Sequence, residues 1–333
     1  MTQPKILLTG AHLTPALALQ SELEKHHFQV EFLTLNSPKF NRHKPIKSFL
    51  SFFKLPYFIF LSLQKIKQLQ PSVIVSFGGY AALPVCLAAK IKRVPLLIHE
   101  QTFASGLTSR LTSILANKIA VSWPESLVYF PRRKTVLTGN PIRQEFLKLH
   151  FRSPSSRQAI YITGGHQGSL VINRAIALIL PDLVKRYQVY HQFGLAQDQT
   201  TWPEFTHQNY VVKPWFEPQE LAQILTPNCL VISRSGINIV TELAWLNQRA
   251  ILIPLTTAQP NEQLTNAKFL RSLGLALILP QPKLTSNSLQ KAIRVAFKIL
   301  PQSSQRRLDR SLIRQATAKL FILVKELSYE AEN

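Results

Sequence analysis

The stretch SRSGINIVTE at residues 233–242 joins a strand-like run, CLVIS, to a helical pattern. Arg234, Ser235 and Gly236 stand at the junction. A turn of small residues before a helix presents backbone N–H groups to an anion such as a diphosphate. Ile239, Val240, Leu243 and Leu246 share one side of that helix, and Glu242 falls at the border of the stripe. A carboxylate there can accept hydrogen bonds from both hydroxyls of a ribose whose phosphates lie at the helix start. The plain alternative is a surface glutamate that the stripe just misses.

Four other stretches carry usable chemistry. In NEQLTNA, Gln263 and Asn266 lie one turn apart on one helix face, where amides suit the hydroxyls of a sugar; capping by Asn261 with solvent exposure of the rest is the alternative. In SFGGYAALP, Gly78 and Gly79 permit close backbone approach, and Tyr80 is placed to line a pocket. In IHEQT, His99, Glu100 and Gln101 end a strand, where catalytic groups collect; loop hydrogen bonding would explain them equally. TGNPIR puts Arg143 near a hinge, to pair with a phosphate or simply to be a hinge arginine.

These residues need strands and helices in alternation to position them. Strand candidates run 5–9, 29–33, 73–76, 95–98, 118–121 and 135–137, then 159–163, 188–191, 210–212, 229–233, 250–253 and 275–279. Helix-length segments separate most of them, which implies parallel sheets of βαβ units. ILLTGAH at 6–12 and IYITGGH at 160–166 echo each other, each a strand, then Thr-Gly-small-His, then a helix. One such turn is a weak signal. Repeated at the first strand of each half, it argues for two Rossmann-like domains facing each other, with ligands beyond the strand ends in the cleft between them. The expected division is 1–148 and 149–317, with the linker in 141–157 and a terminal helix over about 318–333 packed back on the first domain.

The chain has 333 residues, 46% hydrophobic and 17% charged, enough for two sizeable cores. Its two cysteines, Cys86 and Cys229, sit in apolar runs and read as buried thiols. No signal peptide is expected before the first strand, because KILLTG follows the N-terminus directly. The net charge of +22 suggests nucleic acid, but no motif for it is present and none is expected as a partner. No acidic residue stands between Glu31 and Glu100. The segment from Lys39 to Lys67 instead combines Lys39, Arg42, Lys44, Lys47, Lys54, Lys65 and Lys67 with Phe, Leu, Ile and Tyr. It is too short and interrupted to span a bilayer, and suits either an anionic membrane surface or a crossover helix with a basic rim.

The ordered set TGAHLTPALA, SFGGYAALP, IHEQT, TGNPIR, TGGHQGS, HQFG, SRSG…TELA and NEQLTNA resembles the MurG family of N-acetylglucosaminyltransferases, from about residue 5 to 280. The resemblance implies an α/β GT-B fold of two Rossmann-like domains. It implies transfer of N-acetylglucosamine from UDP-N-acetylglucosamine to lipid I, giving lipid II with inversion, in peptidoglycan synthesis. It places the protein peripherally on the cytoplasmic face of the cell membrane, with other cell-wall synthesis proteins as partners. Glu242 is then the ribose ligand, and Ile237, Asn238, Ile239, Val240 and Thr241 lie along the nucleotide behind Ser235 and Gly236. Phe216 contacts uracil through its backbone, and Gln263, with Asn266, reads the transferred sugar. Arg143 and the turn Thr9, Gly10, Ala11 approach the phosphates and sugar, with Gly78, Gly79 and Tyr80 on the acceptor side. His12 is the first candidate for general base and Glu100 the second. Three departures from the family pattern stand out: Ala11 for glycine, Thr102 for asparagine on the donor, and His166, before Gln167, for serine on the phosphate.

No cofactor or metal is expected, because the only aspartates are Asp182, Asp198 and Asp309, with no Asp-x-Asp pair. The helix end at 235–236, Arg143 and the TGGHQG turn would stabilise the leaving diphosphate instead. The departures keep two rivals open: a GT-B enzyme on another lipid acceptor or a UDP-sugar epimerase, and a non-catalytic nucleotide-sugar or membrane scaffold of the same fold.

Overall fold

A computed structural model describes residues 3–33, 54–148, 157–197, 205–255, 261–300 and 308–330. The chain forms two compact units, one of 1–142 with 311–333 and one of 143–310. The division at Ile142 falls earlier than the expected break after residue 148, so Arg143 and the short helix Gln144–Leu147 belong to the second unit.

The first unit holds six strands: β1 Lys5–Gly10, β2 Gln29–Leu33, β3 Val73–Phe77, β4 Leu96–Glu100, β5 Lys118–Val121 and β6 Thr135–Leu137. They form one sheet in the order β2-β1-β3-β4-β5-β6, and every pairing is parallel. Alternation along the strands feeds two cores. Leu7, Ile74, Ile98 and Ile119 pack on one face with Val85 and Ala89 of the helix Leu83–Ile91. Ile6, Leu8, Val75 and Leu97 pack on the other with Leu19 and Leu23 of the helix Leu13–Lys25. The C-terminal helix Ala316–Glu330 completes that second face with Leu320, Val324 and Leu327. Strand β4 starts after Pro95, which has no N–H to give the ladder, and its pairing with β5 continues to Glu100 opposite Val121. His99 and Glu100 are therefore strand residues, held to the sheet's geometry.

The second unit repeats the plan with β7 Ala159–Thr163, β8 Gln188–Gln192, β9 Tyr210–Lys213, β10 Cys229–Ser233, β11 Ala250–Leu252 and β12 Ala276–Ile278. The order is β12-β11-β10-β7-β8-β9, again wholly parallel. Ile160, Ile162, Leu230, Ile232 and Ile251 face Ile172, Ile176, Leu289 and Ile293 from the flanking helices. Cys86 and Cys229 are buried free thiols. Both sheets reverse strand order beside their first strand, at β1/β3 and at β7/β10, and ligands of open parallel sheets bind at such points.

One imidazole is built into the second core. His191 is fully buried, between the Tyr210 hydroxyl at 3.1 Å from Nδ1 and the Asn173 Oδ1 at 3.2 Å from Nε2. Asn173 donates its amide N–H to the Phe193 carbonyl, so Oδ1 is the acceptor and His191 is the neutral Nε2–H tautomer. Burial pushes its pKa down to about 3. The unfolded chain takes up a proton near the ordinary value and the folded chain does not, so stability falls as pH drops below about 6.5. The slope reaches about 1.4 kcal/mol per pH unit for one such group. His191→Gln removes the titration, and urea midpoints followed from pH 7 to 5 should fall less steeply than in the wild type; equal slopes would assign the acid sensitivity elsewhere.

Candidate functional site

In the first unit the turn after β1 meets the turn after β3. Gly10 has φ +127, and a Cβ there would lie 2.8 Å from the Gly78 carbonyl oxygen. The Ala11 N–H donates to that same carbonyl at 3.1 Å. The Ala11 methyl fits because its neighbour is Gly79: a Cβ on Gly79 would come within 2.7 Å of it. The added methyl of the first departure is thus accommodated by a glycine on the opposing turn. Thr9 is buried and donates its hydroxyl to the Leu33 carbonyl at 2.9 Å, which ties the end of β1 to β2. Tyr80 opens a single 3₁₀ turn, Tyr80–Ala82, behind the glycine pair.

His12 follows as the cap residue of the helix Leu13–Lys25 and makes no capping bond with its side chain. Burial lowers its pKa, and Glu100 acts in the opposite direction. At neutral pH the ring is an available proton acceptor beside a carboxylate. Glu100 is 3% exposed. Its Oε1 accepts from the Thr102 N–H at 2.9 Å and the Thr102 hydroxyl at 2.7 Å. Its Oε2 is buried with no hydrogen-bond partner among the described residues. The hydroxyl of Thr102, which the resemblance assigned to the donor, lies between Glu100 Oε1 and the Ala104 carbonyl, each at 2.7 Å.

His99 and Gln101 serve as framework. The His99 Nε2–H donates to the Gly139 carbonyl at 3.2 Å, and Nδ1 accepts from the Gln101 amide at 3.0 Å. Burial, with the Gly139 carbonyl partly opposing it, brings the His99 pKa down to about 4, so the ring stays neutral. Ser122 donates to the Glu100 carbonyl at 2.9 Å, and the Trp123 indole N–H to the Gln101 carbonyl at 2.9 Å. The β4 end is therefore fixed from both sides.

In the second unit the switch-point turns follow β7 and β10. After β7 come Gly164, Gly165, His166, Gln167 and Gly168, with His166 and Gln167 exposed. Gly168 has φ +79, and a Cβ on it would meet the Phe193 carbonyl oxygen at 2.0 Å, so this turn lies directly on the one after β8. The His166 ring stands edge-on to Trp215, with centroids 5.3 Å apart. After β10, Ser235 donates to the Gln263 carbonyl at 2.7 Å, and the Asn266 amide donates to the Ser235 carbonyl at 3.0 Å. The Gln263 side-chain oxygen accepts from the Leu255 N–H at 2.8 Å. Asn266 is buried and braces the Ser235–Gly236 turn through its amide N–H, and its Oδ1 has no hydrogen-bond partner among the described residues. Gln263 is half-buried and keeps its amide N–H₂ side. Arg234 links the same turn to the Ile253 carbonyl at 3.1 Å and to Ser169 at 2.9 Å.

The helix Ile237–Leu246 has no solvent face over Val240–Leu246. The helix Glu262–Ser272 covers one side through the Ser235 and Asn266 bonds, and the 143–146 segment covers another. Glu242 is therefore buried, neither a surface residue nor the edge of a stripe. It holds Arg143 in a two-point pair, Nε to Oε1 at 2.8 Å and Nη2 to Oε2 at 2.7 Å. The guanidinium lies 4.3 Å over Phe146, whose carbonyl accepts from the Trp245 indole N–H at 2.9 Å. Burial works against the Arg143 charge, but Glu242 outweighs it and raises the pKa.

Sequence reasoning gave no role to Gln192. Its Oε1 accepts from the Tyr161 hydroxyl and from the Phe216 N–H, each at 3.1 Å. Its amide donates to Thr163 Oγ1 at 3.0 Å, which also accepts the Gly165 N–H at 3.0 Å. The buried Gln192 thus joins the Phe216 segment to the glycine turn and occupies the Phe216 N–H. The parallel register of β7 and β8 sets Gln192 opposite Thr163, a neighbour relation that the HQFG motif carries in its position. Among the described residues no group of three or more His, Cys, Asp or Glu side chains is arranged to hold a metal.

Residues 159–318 match the glycosyltransferase family 28 C-terminal domain, and residues 28–121 match its N-terminal domain. A Lachnoclostridium phytofermentans protein named UDP-N-acetylglucosamine--N-acetylmuramyl-(pentapeptide) pyrophosphoryl-undecaprenol N-acetylglucosamine transferase is 32% identical over 324 residues, 88% of this chain and 90% of its own. A Clostridium novyi protein of the same name is 29% identical, covering 90% of this chain and 92% of its own. Among solved structures, Acinetobacter baumannii MurG is similar with TM-score 0.67 and 24% identity over 97% of this chain and 99% of that one. The Neisseria meningitidis UDP-GlcNAc 2-epimerase bound to UDP-GlcNAc gives TM-score 0.64 at 13% identity over 97% and 100%. The structural likenesses carry the fold, which is GT-B.

The fit of Ala11 against Gly79 is open to measurement. Gly79→Ala adds a methyl at φ +83 against another methyl and should cost about 1–3 kcal/mol. Ala11→Gly in the same chain should recover the steric part and leave the backbone strain. Urea unfolding of the two single variants and the double gives the coupling; strict additivity would mean that the two turns do not share that space.

Proposed function

The chain belongs to the MurG family within glycosyltransferase family 28, and from that premise we propose how its residues divide the work. It is an N-acetylglucosaminyltransferase that moves N-acetylglucosamine from UDP-N-acetylglucosamine to lipid I, giving lipid II. One observation carries our reading of the chemistry. Glu100 is buried with Oε1 held by Thr102 and Oε2 unpartnered, beside a histidine that burial keeps neutral.

In this reading His12 takes the proton of the acceptor hydroxyl as that oxygen attacks the anomeric carbon. The imidazolium that forms is favoured by the Glu100 carboxylate, whose attraction grows as the charge appears. Thr102 keeps the carboxylate from turning away. In the second unit the diphosphate is held by the start of the helix Ile237–Leu246 and by the Gly164–Gly168 turn. Backbone N–H groups there are fixed before the reaction, so they stabilise the leaving group without reorganising. Glu242 holds the ribose, Gln263 the transferred sugar, and the Phe216 carbonyl the base.

Mass spectrometry of products from UDP-N-acetylglucosamine and lipid I should show the sugar added to the lipid-linked acceptor; its absence with a folded protein would leave the scaffold reading. His12→Ala should lower kcat by about 10²–10⁴ and change donor KM little. A larger loss in Glu100→Gln would exchange the two roles.

We also propose that the first unit touches an anionic membrane surface. Among the described residues no helix is long and apolar enough to cross a membrane. Of the segment from Lys39 to Lys67, residues 39–53 lie outside the described residues. The remainder enters the helix Leu55–Leu69, where only Ser62 and Ile66 are fully buried. Tyr57 is 60% exposed and Phe60 54% exposed, beside Lys54. Aromatic rings and ammonium groups on one exposed stretch suit reversible surface binding, at about 1 kcal/mol per basic residue. The protein should co-sediment with anionic vesicles, less so at high salt and hardly with neutral ones. Replacing Lys44, Lys47 and Lys54 by Glu should abolish most of it with donor binding kept, and full sedimentation of that variant would move the membrane contact elsewhere.

A further inference from the structure

The Arg143–Glu242 pair conflicts with a free ribose site. Each Glu242 oxygen accepts an N–H from Arg143, at 2.8 and 2.7 Å, and the glutamate side chain is 3% exposed, so ribose hydroxyls have no open approach to the carboxylate while the pair holds. A guanidinium edge and a vicinal diol offer the same thing, two donors side by side that straddle a carboxylate. Arg143 therefore stands where the ribose would bind.

Removing Arg143 from Glu242 leaves a guanidinium that needs another anion, because an unpaired buried charge is strongly unfavourable. Glu145 also acts on Arg143, but it does so already in the present pairing. It is there before and after a ligand arrives, so it offers nothing new. The only anion that arrives with the ribose is the ligand's own phosphate.

We propose that Arg143 is a specificity-determining residue: it closes Glu242 to ribose unless the same ligand brings a diphosphate to receive the guanidinium. The inference rests on the reading of Glu242 as ribose ligand. A nucleoside must break the pair and replace only half of it. A nucleoside diphosphate exchanges one charge-assisted pair for another. The same side chain thus works against uridine and in favour of UDP and its sugars. Held on Glu242 by two bonds and by the Phe146 ring, it reduces nucleoside affinity to the intrinsic value multiplied by the fraction of time the carboxylate is open.

Competition calorimetry with uridine and UDP on the wild type, Arg143→Ala and Glu242→Gln tests this. Arg143→Ala should bind uridine about tenfold tighter and UDP about tenfold weaker, a tenfold change being 1.4 kcal/mol. Weaker binding of both ligands would mean that Arg143 supports the occupied carboxylate, which overturns the proposal and leaves the ribose reading intact. Tighter uridine with unchanged UDP would mean that the guanidinium does not reach the phosphates, which also overturns it. If Glu242→Gln leaves uridine affinity unchanged, the ribose reading has failed and the proposal with it. Arg143→Lys covers the case in which the alanine variant does not fold. It keeps the charge and loses the fork, so uridine should tighten while UDP stays within about threefold; unchanged uridine affinity there would sink the idea.

Discussion

All pairings in both sheets are parallel, and that one constraint arranges everything else. A parallel strand cannot return by a hairpin, so each connection crosses a face and re-enters at the far edge. Helices must cover both faces, and ligands of such sheets are received at the turns beyond the C-terminal strand ends. At β1/β3 and β7/β10 the chain leaves the sheet in opposite directions, which opens a gap between two turns. Gly10 is required where the turn after β1 meets the turn after β3, and Gly168 where the turn after β7 meets the turn after β8, because backbone meets backbone at distances that a Cβ would violate.

The sheet constraint also explains why so many polar groups are buried at those ends. Glu100, Glu242, Gln192, His99 and Asn266 are each 3% exposed or less. None is idle. Gln192 ties two turns and a tyrosine together, His99 ties β4 to Gly139, and Asn266 holds the Ser235 carbonyl. A buried polar group without partners costs more than most side chains contribute, so these networks fix each turn in one conformation. Against that background the Oε2 of Glu100 and the Oδ1 of Asn266 are the two oxygens of this set without a partner among the described residues.

Strand positions were legible in the sequence because parallel strands buried on both faces read as short apolar runs, and β5, β6, β7 and β10 lie over the expected residues. Helix exposure was not legible. Periodicity assigned Glu242 to a border because it counts only one buried face, whereas the helix Ile237–Leu246 is covered by two further segments as well as the sheet. Pairing across long separations was equally hidden. Arg143 and Glu242 are 99 residues apart, and each alone suggested an anion or ribose partner rather than the other. Local rules see turns, caps and stripes; they do not see which side chains the crossovers bring together.

The departures from the family pattern become intelligible on the same footing. Ala11 asks for space, and the opposing turn supplies it by having glycine at 79. Thr102 replaces an amide by a hydroxyl, which is too short to reach far beyond its own turn but well placed to return to the carboxylate two residues earlier. Substitution at the rim is tolerated because the parts that cannot change, the glycine crossings and the braced strand ends, are set by the sheets.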